Sequence, residues 1–168
     1  MTPIEVSNDG GSIIWCEWIK WNGKQITSMV RGTHELIMKS GKKIKLGVDV
    51  FPDPDESKIE IAQDWGDWAN EGIIDFACPM LYINDTNLFD KYLDKAMKTA
   101  SGKCRVYPGI GIITSHNRIT ADILNKEIEI TRSKRTGGFV FFSGNSFAKD
   151  LRESLEKTVF SNSRKEDK

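Results

Sequence analysis

Carboxylates, hydroxyls and an aromatic ring gather at four recurring places in this chain. Asp49 closes the apolar run Lys43 to Val50, and Asp53, Asp55 and Glu56 lie just beyond it. Tyr82 ends the run Ile73 to Tyr82, with Asn84 and Asp85 next. Ser115 and His116 follow Arg105 to Ile113, and Ser143 and Asn145 follow Gly138 to Phe142. Carboxyl groups cleave glycosidic bonds in pairs, one as acid and one as nucleophile or base. A tyrosine presents an apolar ring face with a hydroxyl tip, which suits stacking on a sugar. A histidine can carry a proton near neutral pH. Asp49 is the first candidate for catalysis. Tyr82, Asn84, Asp85, His116 and Ser143 are candidates for substrate binding.

Each of these residues also has a plain structural reading. Asp49 could bond neighbouring backbone or pair with Lys45. Asp53, Asp55 and Glu56 read as a solvated loop, and Asp75, at the start of its run, as a structural residue at the opposite end. Tyr82 could simply pack, and His116 could simply face water. Trp65 and Trp68 fall on the buried stripe of a helix and read as core, while His34 reads as a surface residue.

The four places are set by a repeat. Gly41, Gly72, Gly102 and Gly137 each close a helical stretch, and an apolar run follows at once. The runs open near positions 44, 74, 106 and 138, in steps of 30, 32 and 32. A strand, a helix and two loops need roughly 30 residues. Glycine after a helix takes the left-handed conformation that ends it. The period predicts an α/β fold of four consecutive parallel βα units, half of a (β/α)8 barrel. A whole barrel takes about 250 residues, against 168 in this chain.

In detail, Met1 to Ser12 read as a loop and Trp18 to Lys39 as a first helix. Ile26, Val30, Thr33 and Ile37 form its stripe. In the first strand Ile44, Leu46, Val48 and Val50 share one face, while Lys45, Gly47 and Asp49 share the other. Ser57 and Glu60 are spaced as a capping box for the second helix. The second strand is expected to end around Pro79, which lacks a ladder N–H. Gly109 and Gly111 mark a close approach of backbone or ligand in the third strand. Helices are expected over Asn117 to Lys134 and Ser146 to Phe160. Residues 1–160 then form one domain, and 161–168 a disordered charged tail.

The bulk numbers exclude several classes. Twenty-four basic and 24 acidic residues cancel, so no nucleic-acid or anionic-membrane partner is expected. No apolar run is long enough to span a bilayer, and Met1 opens a polar stretch without a signal peptide. Cys16, Cys78 and Cys104 lack metal-ligand spacing and read as isolated thiols. No Gly-rich loop of phosphate-binding form and no assignable Ser-His-Asp set is present. No cofactor or metal is expected.

From Val50 onward the string "VFPDPDESKIEIAQDWGDWANEGIIDFACPMLYINDT" resembles the glycosyl-hydrolase-like family ten barrels of bacteria. The matching pieces are Phe51-Pro52, Gln63-Asp64-Trp65, Trp68, Glu71-Gly72, Asp75-Phe76 and Pro79-Met80-Leu81-Tyr82. "YPGIGI" from Tyr107 and "GGFVFFS" from Gly137 resemble the family's seventh and eighth strands, and "WCEWIKWNGKQIT" from Trp15 its fourth helix. The resemblance implies the carboxyl-terminal half of a (β/α)8 glycoside hydrolase acting on a poly- or oligosaccharide, from a family that is often exported. The chain departs from the pattern upstream, where members carry an Asp-Tyr-x-Arg-Tyr-Pro-like segment and four earlier strands. A half barrel exposes two sheet edges, so a homodimer completing the sheet is also expected. The alternative is a half barrel that binds carbohydrate, or serves structurally, without turnover.

Overall fold

The computed structural model describes residues 11–146 and 149–158. In chain order it contains α1 (Gly11–Lys39), β1 (Gly47–Val50), α2 (Pro54–Glu60), α3 (Trp65–Asn70), β2 (Phe76–Leu81) and α4 (Thr86–Ala100). Then come β3 (Arg105–Val106), β4 (Gly109–Gly111), α5 (Ala121–Ser133), β5 (Val140–Phe142) and α6 (Lys149–Thr158). Every strand pairing is parallel. β1 pairs with β2, β2 with β3 and then β4, and β4 with β5. The chain is therefore a mixed α/β protein on a parallel sheet, with strands laid down in sequence order.

One face of the sheet makes the core. Val50, Ala77, Leu81, Ile110 and Ile112 are buried among Trp65, Trp68, Phe89, Leu93, Leu124 and Ile128 from the helices. The other face carries Asp49, Cys78, Tyr82, Val140 and Phe142, and it is open to solvent at Asp49, Val140 and Phe142. This division follows the period of two, because successive side chains point to opposite faces of a strand.

Three of the four glycine stops hold, with Gly41, Gly72 and Gly102 at φ of 66°, 71° and 71°. At the fourth junction the left-handed residues are Arg135 and Gly138 rather than Gly137. Gly137 is needed for a different reason: a Cβ there would fall 2.7 Å from the Tyr107 ring. The close approach at Gly111 is likewise made by this chain's own groups. A Cβ would sit 2.6 Å from Asn117 Oδ1 and 3.0 Å from Tyr82.

Several boundaries differ from the sequence reading. α1 reaches back to Gly11 and takes in Trp15 and Cys16. β1 begins at Gly47, because the Leu46 N–H is taken by the Asp75 side chain at 2.8 Å. The cap of α2 is Asp53, whose Oδ1 accepts from the N–H groups of Asp55 and Glu56, with Pro54 at the first helical position. Ser57, expected to be a cap, is instead buried inside that helix. A break at Ile61 to Asp64, with Ala62 at φ 60°, separates α2 from α3.

β2 runs through Pro79 to Leu81, pairing with β3 before the proline and β4 after it. The third strand is split at Tyr107 and Pro108 into β3 and β4. Asn117 stays in the loop, and Thr120 caps α5 instead. α6 starts at Lys149. The expected loop up to residue 10, the residues at 159 and 160, and the tail 161–168 lie outside the described residues.

Candidate functional site

Asp49 occupies the last open-face position of β1 and is exposed. The backbone around it is fixed by Gln63, in the break between α2 and α3. Gln63 Nε2 donates to the Asp49 carbonyl at 3.1 Å, and its Oε1 accepts from the Phe51 N–H at 3.0 Å. One amide thus closes the end of β1 on both sides of Val50. Asp49 stands in register with Cys78 of β2. Partners across a parallel ladder share a face, so the Cys78 thiol lies within hydrogen-bonding reach of the carboxylate. Burial first, and then the negative charge of Asp49, push that thiol up to about 11. It is a neutral donor beside the acid at pH 7.

Tyr82 is next along this face. Burial, and then the charges of Asp49 and Cys78, raise its phenol above the ordinary value. Its ring stacks on Phe142 with centroids 5.4 Å apart and planes 15° from parallel. Phe142 is 52% exposed. Gly109 and Gly111 lie beside the Tyr82 ring, and at Gly111 a side chain would crowd both that ring and Asn117. Asn117 ties the loop after β4 to the same place. Its Nδ2 donates to the Gly111 carbonyl at 2.8 Å, and its Oδ1 accepts from Thr114 Oγ1 at 2.7 Å. The upper part of the open face thus combines a carboxylate, two weak-acid donors and two stacked rings.

The other candidates fall around this group with different roles. Asp85 caps α4, its Oδ1 accepting from Asn87 N at 2.8 Å and Leu88 N at 3.3 Å. Asn84 is exposed on the bend before that cap. His116 is exposed in the loop closed by the Ile113–Arg118 bridge. Among the described residues no hydrogen bond ties its side chain to Asp49. Ser143 is half-buried directly after β5.

The loop acids are not simply solvated. Lys95 of α4 reaches Asp53 at 2.6 Å and Asp55 at 2.8 Å. Burial of the Asp53 cap pushes its carboxyl up, but Lys95 and the two amides outweigh that and leave it lowered. Lys45, a suggested partner of Asp49, pairs instead with Asp75 at 2.6 Å, at the opposite end of the strands.

That lower end forms a hollow of about 480 Å³, lined by Lys45, Asp75, Phe76, Arg105, Tyr107 and Val140 with Cys78. Phe76 and Tyr107 meet edge to face at 5.5 Å and 85°. Among the described residues no three His, Cys, Asp or Glu side chains are grouped to hold a metal ion, and no helix is long and apolar enough to cross a membrane. Cys78, Gln63 and Phe142 belong to the site although their sequence positions alone do not mark them. The period-two series from Phe76 to Tyr82, set opposite Asp49, would have drawn in Cys78.

No protein-family model matches the chain, and no curated protein matches it.

Proposed function

We propose that this chain is the carboxyl-terminal half of a (β/α)8 barrel of glycoside-hydrolase type, and that its open sheet face binds a poly- or oligosaccharide. The observation that carries the reading is Asp49 grouped with the stacked pair Tyr82 and Phe142 on the solvent-facing side of the sheet. Barrel enzymes keep their working groups at the carboxyl ends of strands, where Asp49, Tyr82 and Phe142 lie. Stacked rings suit the apolar faces of a pyranose, and a carboxylate accepts from its hydroxyls.

One observation favours binding over turnover by the chain alone. Asp53 and Asp85 are committed to helix caps, which leaves Asp49 as a single carboxyl where glycoside hydrolysis uses two. The second belongs to whatever completes the barrel. The outer edges of β1 and β5 have no strand partner among the described residues. A second copy of this chain is the partner proposed for them, because free edges favour self-association. Such closure would leave the carboxyl ends of the strands, where Asp49, Tyr82 and Phe142 lie, at the mouth of the barrel.

Calorimetric titration with neutral and acidic oligosaccharides tests the reading. Saturable binding is expected, weakened about tenfold or more (~1.4 kcal/mol) by Tyr82→Ala. No hydrolysis is expected from the purified chain. Absence of saturable binding to every oligosaccharide, or a Tyr82→Ala variant that binds as well as wild type, would refute it. Robust turnover would show that this half supplies both carboxyls.

A further inference from the structure

The open face is electrically uneven along its length. Its upper end carries Asp49. At its lower end Asp75 is neutralised by Lys45, while Arg105 pairs with no carboxylate among the described residues. The Arg105 guanidinium approaches the Tyr107 hydroxyl at 3.5 Å, at the margin of hydrogen bonding. The two ends are joined by β2, which climbs about 17 Å from Phe76 to Leu81 at ~3.3 Å per residue, with Tyr82 just beyond it. Each end has an aromatic pair, Phe76 with Tyr107 below and Tyr82 with Phe142 above. Between them the floor carries Cys78, an uncharged thiol at neutral pH, and half-buried Met80 on β2, set against Gly109 and Gly111 of β4, which present no side chain. The lower hollow, at about 480 Å³, falls within the ~300–1,000 Å³ of small-ligand sites.

We propose that the saccharide taken by this face is acidic: a linear oligosaccharide of carboxylated sugars, lying along the strands with one carboxylate on Arg105 and another sugar ring on Tyr82 and Phe142. This rests on the saccharide reading above and adds its chemical class. Guanidinium matches carboxylate geometry with paired N–H donors.

The test uses oligogalacturonate, oligoalginate and hyaluronan fragments, each beside its carboxyl-reduced counterpart, titrated into the full chain and into Arg105→Gln. Arg105 is exposed, so this variant is expected to fold, and circular dichroism checks it. At least one acidic probe is expected to bind about tenfold more tightly than its reduced form at low salt, with the margin shrinking as salt rises. In Arg105→Gln the margin closes while the reduced form binds as before. Equal binding of acidic and reduced forms overturns the proposal and leaves the saccharide reading standing. So does a margin that survives Arg105→Gln. Failure of all probes, acidic and reduced, overturns both.

Discussion

Glu127→Gln stabilises the chain by about 3 kcal/mol at pH 7 and by almost nothing at about pH 4. Glu127 lies on the inner face of α5 with Leu124, Ile128 and Thr131 and is fully buried. Among the described residues neither carboxyl oxygen has a hydrogen-bond partner. Burial therefore pushes its pKa from 4.5 up to about 8. The folded chain keeps a proton that the unfolded chain releases above pH 4.5. The stability this group allows is thus complete below pH 4.5 and is lost progressively as the pH climbs to about 8. Glutamine has nearly the same shape and no charge to lose. Thermal melts of both proteins from about pH 4 to 9 should converge at the acid end and diverge upward. Parallel curves would contradict a neutral, unpartnered Glu127.

Trp68→Ala is expected to cost about 4 kcal/mol and to release α1 from the body. Trp68 is 2% exposed, and its indole N–H donates to Thr27 Oγ1 of α1 at 2.8 Å. Among the described residues of α1 Val30 alone is buried. Ile26 packs partly buried against the core, and Arg31 pairs with Glu71 at 2.5 Å, an exposed ion pair that is worth little. Trp15, Trp18 and Trp21 of the same helix stay exposed. Losing Trp68 thus removes core volume and the buried anchor of a 29-residue helix in one step. Hydrogen exchange should show α1 losing protection far more than α4 or α5. Trp68→Phe should keep most of the core and still loosen α1. Retained protection of α1 in Trp68→Ala would show that other contacts hold it.

What the sequence made legible was the alternation and the punctuation. Val48 and Val50 against Asp49, and the glycine stops at Gly41, Gly72 and Gly102, are local features that survive in the fold. The parallel strand order follows from the repeat of about thirty residues. Contacts that depend on offsets between distant segments were not legible. Nothing in the run around Cys78 says that it stands opposite Asp49, because that register is set by how β1 and β2 dock. Asp85 and Asp53 looked like site carboxylates or loop acids because they follow strands. Their cap roles depend on where the next helix begins, the least determinate feature of a sequence. Ala62 in a left-handed conformation gives no local signal, since alanine has no preference for it. The break there matters because it frees Gln63 to clamp the end of β1.

The most direct test of a saccharide face is amide and side-chain NMR of the isotopically labelled chain, titrated with the oligosaccharides above. Shifts are expected at Asp49, Cys78, Tyr82, Gly109, Gly111 and Phe142, with Leu93, Leu124 and Ile128 on the helical side unmoved. Shifts confined to the helical side, or none at saturating oligosaccharide, would contradict it.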